Sequence, residues 1–106
     1  VSDSLNFKEW LTEAEKYRSD RKLLPLLHLC NGWKISIQNS EGHHCLNGSG
    51  FEVLFREGFA PNYWNHMCED PTDEYLKHLY VNVQFWMVEV VVRECGGALS
   101  VFEKEE

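Results

Sequence analysis

The stretch "WKISIQ", Trp33 to Gln38, constrains this chain more than any other. Trp33, Ile35 and Ile37 take one face of an extended segment, and Lys34, Ser36 and Gln38 take the other. That period of two belongs to a strand buried on one side only. Such a strand needs a neighbouring strand and a covering layer. "FEVLF", Phe51 to Phe55, supplies the neighbour. Segment 39–50 between them carries Asn39, Gly42, Asn47, Gly48 and Gly50, and reads as a long hairpin connection.

Helices supply the cover. Asn6 is placed to cap a helix, Glu9 lies three residues on, and Leu5 and Trp10 are spaced for a hydrophobic staple. Phe7, Trp10, Leu11, Ala14 and Tyr17 form the apolar stripe of a helix over residues 7–18. In "SDRKLLPLLHLCNG", Pro25 cannot sit inside a helix without losing a hydrogen bond, so a kink or a fresh helix opening at Pro25 is expected. Asn31-Gly32 would stop it. Leu23, Leu24, Leu26, Leu27 and Leu29 are assigned to the core, with His28 as a half-buried packing residue.

Three further elements follow. "REGFAPNYWNHMCEDPTDE" is irregular, with one short helical turn near residues 63–68. "YLKHLYV", Tyr75 to Val81, reads as a strand. "VNVQFWMVEVVVRECGG" holds β-branched residues that favour a strand, but Phe85, Val88, Val91, Val92 and Cys95 keep helical spacing and Gly96-Gly97 is a helix stop. A helix over residues 84–95 is therefore expected, with "ALSVFE" pairing onto the sheet edge. The predicted fold is a single α+β domain over residues 1–106. N-terminal helices and a C-terminal helix pack on a three- to four-stranded antiparallel sheet.

The charge balance narrows function. There are 17 acidic residues against 10 basic in 106, a formal net charge of -7. A phosphate backbone must be met by clustered Lys and Arg, so direct nucleic-acid binding is not expected. A basic protein surface is the natural complement. No apolar run approaches the ~20 residues that span a bilayer, so no membrane partner is expected. The start "VSDSLNFKEW" lacks the pattern of a secretory signal, which points to the cytoplasm and to free thiols. A sheet edge and the apolar "FWMVEVVV" leave room for a homodimer.

The most chemical stretch is "SEGHHCLNG". With "HMC" further on it offers two His-x-Cys pairs, His43 with Cys45 and His66 with Cys68. If the fold brought them together they could form a tetrahedral zinc site, with Cys30 or His78 as substitutes. The spacings match no known zinc, redox or haem pattern, and the preferred expectation is no metal and no cofactor. Catalysis fares no better. Neighbouring residues on an extended chain point to opposite faces, so His44 cannot activate Cys45, and a base would have to come from His66 or His78. No nucleophile elbow, phosphate loop or HExxH pattern occurs. A small enzyme or ligand-binding domain stays as the third reading.

"PNYWNHM" places Tyr63 and Trp64, residue types that anchor protein interfaces, just before the acidic run "EDPTDE". Tyr63, Trp64, Glu69, Asp70, Asp73 and Glu74 are the expected partner-binding surface. Trp64 could equally plug the core from the loop.

"FKEWLTEAEKYRSDRKLLPLLHLCNGWKISIQ", then "HHC", "DPTDEY" and "CGG", resemble small accessory proteins encoded by bacteriophages and prophages. The resemblance covers about two thirds of the chain, best over the first 45 residues, and lapses over "FEVLFREGFAPNYWNHMCE". It implies a non-enzymatic inhibitor of the anti-CRISPR or anti-defence type, occluding a host CRISPR effector or other defence protein in the bacterial cytoplasm. It implies no catalytic residue.

Overall fold

The chain enters its first helix, α1 (Phe7–Ala14), through the expected capping box. The Asn6 side chain accepts from the Glu9 amide at 2.8 Å, and the Glu9 carboxylate accepts from the Asn6 amide at 2.9 Å. A 3-10 turn, Glu15–Tyr17, finishes the element. The computed structural model describes residues 4–20, 23–39 and 50–101.

Among the described residues, no helix forms around Pro25. Residues 23–26 are extended and lead into a short strand, β1 (Leu27–His28). Pro25 removes a helical donor, and a distant side chain fixes the alternative. Gln38, buried in the sheet, accepts from the Leu24 amide at 2.8 Å and donates to the Leu24 carbonyl at 3.1 Å. Both backbone groups of Leu24 are thereby satisfied without a helix. Leu24, Leu27 and Leu29 are buried, while Leu23, Leu26 and His28 are half-buried.

β2 (Lys34–Gln38) and β3 (Phe51–Glu57) pair antiparallel, with Ile35 opposite Phe55 and Ile37 opposite Val53. β4 (Leu79–Val83) completes a meander in the order β1-β2-β3-β4. The expected third strand thus starts later than its sequence suggests. Asp73 accepts from the amides of Tyr75 and Leu76 and turns Leu76–His78 into 3-10 helix. Near the end of β4 the register with β3 shifts, and Asn82 sits at φ 56°. Asn tolerates that left-handed angle, and the bulge redirects the chain toward the last helix.

That helix, α2 (Phe85–Glu94), carries Met87, Val88, Val91 and Val92 inward. Helical spacing on a buried face overrides the strand preference of its valines. It ends in a Schellman motif. The Gly97 amide donates to Val92 and the Gly96 amide to Arg93, with both glycines at positive φ. One core joins Phe7, Trp10 and Ala14 of α1 to the α2 face and to Ile35, Ile37, Val53 and Phe55 of the sheet. The fold is α+β, as expected.

Both sheet edges are covered. Segment 97–99 lies along β1, with a bridge between Leu29 and Ala98 and a bond from the Leu99 amide to the His28 carbonyl. "ALSVFE" therefore touches the edge at Ala98 and Leu99 without forming a strand over the described residues 98–101. Residues 68–69 cover β4, bridging Cys68 to Tyr80 and bonding the Glu69 amide to the Leu79 carbonyl. The edge that the sequence offered as a dimer surface is occupied at these positions. Among the described residues, no helix is long and apolar enough to cross a membrane.

Candidate functional site

After β3 the chain turns at Gly58, φ 121°. A side chain here would place its Cβ 2.3 Å from the Trp33 ring. Only glycine fits, and the close approach aims Phe59 outward, 77% exposed, with its ring edge-on to Trp33 at 6.3 Å. A six-residue 3-10 helix, Asn62–Met67, follows.

In a 3-10 helix, residues three apart eclipse one another, so three faces result. Trp64 and Met67 take the inner face. Trp64 is fully buried against Phe55 and Tyr80, each 5.6 Å away and steeply inclined. Tyr63 and His66 take the face nearest α2. Asn62 and Asn65 take the third, and with Cys68 they line a cleft.

This period sorts the sequence candidates. Trp64 belongs to the core and cannot be a contact residue, which corrects its place in the expected surface. Tyr63 is exposed and stacks on Trp86 of α2, with centroids 6.2 Å apart and planes 4° apart. Trp86 is itself 54% exposed, and it was missed because α2 was read for its buried stripe. Phe59, Tyr63 and Trp86 are large exposed apolar side chains of this region, Tyr75 is another directly after the acidic turn, and Pro61 lies between the first two in sequence, beside Val91 and Glu94.

Pro71, within the acidic run, lines the same cleft as Asn62 and Asn65, whereas the charged lining of that cleft is Lys77 and His78. Two of the four acids in the run shape the turn. Asp70 accepts from the Thr72 hydroxyl at 2.7 Å and from the Thr72 amide at 3.0 Å. Those bonds lower its pKa from the ordinary carboxylate value, the hydroxyl contributing most. Asp73 caps the Leu76–His78 turn. Glu74 pairs with Lys77 at 3.2 Å while its own side chain stays open to water, and Glu69 is exposed.

The cleft holds about 660 Å³, floored by Phe55 and Tyr80 and walled by Lys77 and His78 beside Pro71. Burial raises the pKa of the Tyr80 phenol. The Cys68 thiol turns to the carbonyls of Leu76 and Lys77, at 3.7 and 3.5 Å. His66 lines a different depression, beside Met87. His66 and Cys68 thus do not converge, and among the described residues no three potential ligands cluster. Their proposed partners, His43 and Cys45, lie outside the described residues. Cys95, whose thiol pKa is raised by burial, and exposed Cys30 belong to the opposite end of α2 and to the β1–β2 turn.

Comparison with protein-family models, with curated proteins and with solved structures returns no match.

Proposed function

We propose that this chain is a binding domain that docks on a basic surface of a partner protein through the face built by Phe59, Tyr63, Trp86 and the acidic turn 69–74. The observation that carries this reading is the exposed Tyr63–Trp86 stack. Two large aromatics held rigid by each other lose little freedom on binding, and such residues dominate interface energetics. The net charge of -7 selects the sign of the partner and opposes docking of a second copy.

The resemblance to phage accessory proteins extends the reading. It makes the domain an inhibitor that occludes a host defence or nucleic-acid-handling protein, whose own substrate site supplies the basic surface. An acidic face then competes with nucleic acid for that site.

Charge reversal tests the surface. Asp70 and Asp73 build the turn, so the reversal, Glu69→Lys with Glu74→Lys, is made at exposed residues, where loss of the surface Glu74–Lys77 pair costs little. It should abolish capture of basic proteins from a bacterial lysate while leaving the melting temperature nearly unchanged. Capture that survives the reversal removes the proposed surface.

A further inference from the structure

The cleft beside the 62–67 helix has a lining that docking through an acidic face does not use. It holds about 660 Å³, within the range of small-molecule sites. Among the described residues that line it there is no carboxylate, and its charged groups are Lys77 and His78. In a chain of net charge -7 this is a local inversion of sign. Lys77 has Glu74 as a counterion at 3.2 Å, but the Glu74 side chain is 95% exposed, and a surface pair of that kind is weak. Among the described residues the His78 side chain has no hydrogen-bond or ionic partner. An anion entering the cleft therefore meets an ammonium and a ring N–H that nothing buried already holds.

Polar side chains and rings make up most of the remaining lining. Asn62 and Asn65 are exposed, and neither side-chain amide is engaged by another described residue. Three positions apart on a 3-10 helix, at a rise of ~2.0 Å per residue, they stand one above the other about 6 Å apart, so both can reach one ligand. Each carboxamide offers an acceptor beside two donors, the pattern that pairs with the polar edge of a nucleobase. Phe55, Phe59 and Tyr80 supply aromatic surface, and Phe59 is 77% exposed. Every base has a π-face that stacks on such rings. An aromatic ring, its polar edge and an anionic group are thus each matched within one cleft. A nucleic-acid strand is not matched, because it adds a charge with every phosphate and the cleft supplies only Lys77 and His78 against them.

We propose that this cleft binds a mononucleotide, with its base stacked on the aromatic lining and paired at its edge by Asn62 and Asn65, and its phosphate held by Lys77 and His78. The inference stands apart from partner docking, which rests on the Tyr63–Trp86 stack.

The test is an NMR titration of the whole isotope-labelled chain with adenosine, guanosine, cytidine and uridine monophosphates. At least one should shift the side-chain amide signals of Asn62 and Asn65 saturably at millimolar concentration or below. Its nucleoside and inorganic phosphate should each bind about tenfold more weakly or worse. Lys77→Gln should bring nucleotide affinity down to that of the nucleoside, and the Asn62→Ala, Asn65→Ala double variant should weaken both. An unchanged near-UV circular dichroism spectrum confirms that each variant is folded. The proposal is overturned by no saturable shift with any of these nucleotides, or by shifts confined to the Tyr63–Trp86 stack. It is equally overturned by a nucleoside or inorganic phosphate that binds as well as the nucleotide, or by nucleotide affinity unchanged in either variant. None of these outcomes bears on partner docking, whose own test is the charge reversal at Glu69 and Glu74.

Discussion

Tyr63 and Trp86 come from two different elements and meet as an offset parallel stack, 6.2 Å between centroids and 4° between planes, with about half of each residue open to solvent. The contact ties the 62–67 helix to α2 from outside, while Trp64 ties it to the sheet from inside. One short helix thus divides its neighbouring aromatics between folding and surface display.

The division predicts opposite responses at adjacent residues. Trp64→Ala removes a fully buried ring and should cost about 3–5 kcal/mol in denaturant unfolding. Tyr63→Ala and Trp86→Ala should each cost far less, and a double-mutant cycle on folding should return a coupling of about 0.5–1.5 kcal/mol, near the lower end for an exposed pair. Equal losses at Tyr63 and Trp64 would contradict the three-sided placement.

Gly58 should tolerate no side chain. Its backbone lies in a left-handed region costing a substituted residue about 1–3 kcal/mol, and the added Cβ would meet Trp33. Gly58→Ala should lower the melting temperature and perturb the near-UV signal of Trp33. An unchanged melt would show that the turn can relax away from the ring.

Much of this architecture is legible in the sequence because it rests on short-range chemistry. The Asn6–Glu9 box, the alternation of β2 and the Gly96-Gly97 stop each act within a few residues. What the sequence hides depends on distant partners or an unexpected period. The extended course at Leu24 needs Gln38, fourteen positions on, and the leucine run alone reads as helix. The late start of β4 follows from Asp73 capping a turn inside an apparent strand. The neighbours Tyr63 and Trp64 looked like one surface because a period of three has no distinctive apolar pattern over six residues. Trp86, the other half of the stack, was invisible because nothing local links it to Tyr63.

Gln38→Ala should destabilise by about 2 kcal/mol, because it strips the amide and carbonyl of Leu24 of their partners in a buried place. Hydrogen exchange at the Leu24 amide should accelerate with it. Gln38→Glu loses the donor to the Leu24 carbonyl and buries a carboxylate, so at neutral pH it should be at least as damaging. Exchange at Leu24 that matches the wild type in both variants would show that another group holds this segment.

The acidic turn should carry a pH signature. Hydrogen bonds from Thr72 lower the folded pKa of Asp70 below its unfolded value. Its contribution is therefore present above the ordinary carboxylate range and is lost as pH falls through the folded value. Asp70→Asn should melt below the wild type at pH 7, and the gap should close under acid. A gap that is constant with pH would mean that the charge of Asp70 adds nothing to the turn.

Photo-crosslinking from the exposed aromatic face tests the central claim most directly. A benzoylphenylalanine placed at position 63 or 86, with one at exposed position 8 of α1 as control, would be irradiated in a bacterial lysate. Positions 63 and 86 should both label the same basic protein, with labelling weakened by high salt, and position 8 should not label it. Labelling from position 8 alone, or labelling from positions 63 and 86 confined to acidic proteins, would contradict the assignment of this face as the partner-binding surface.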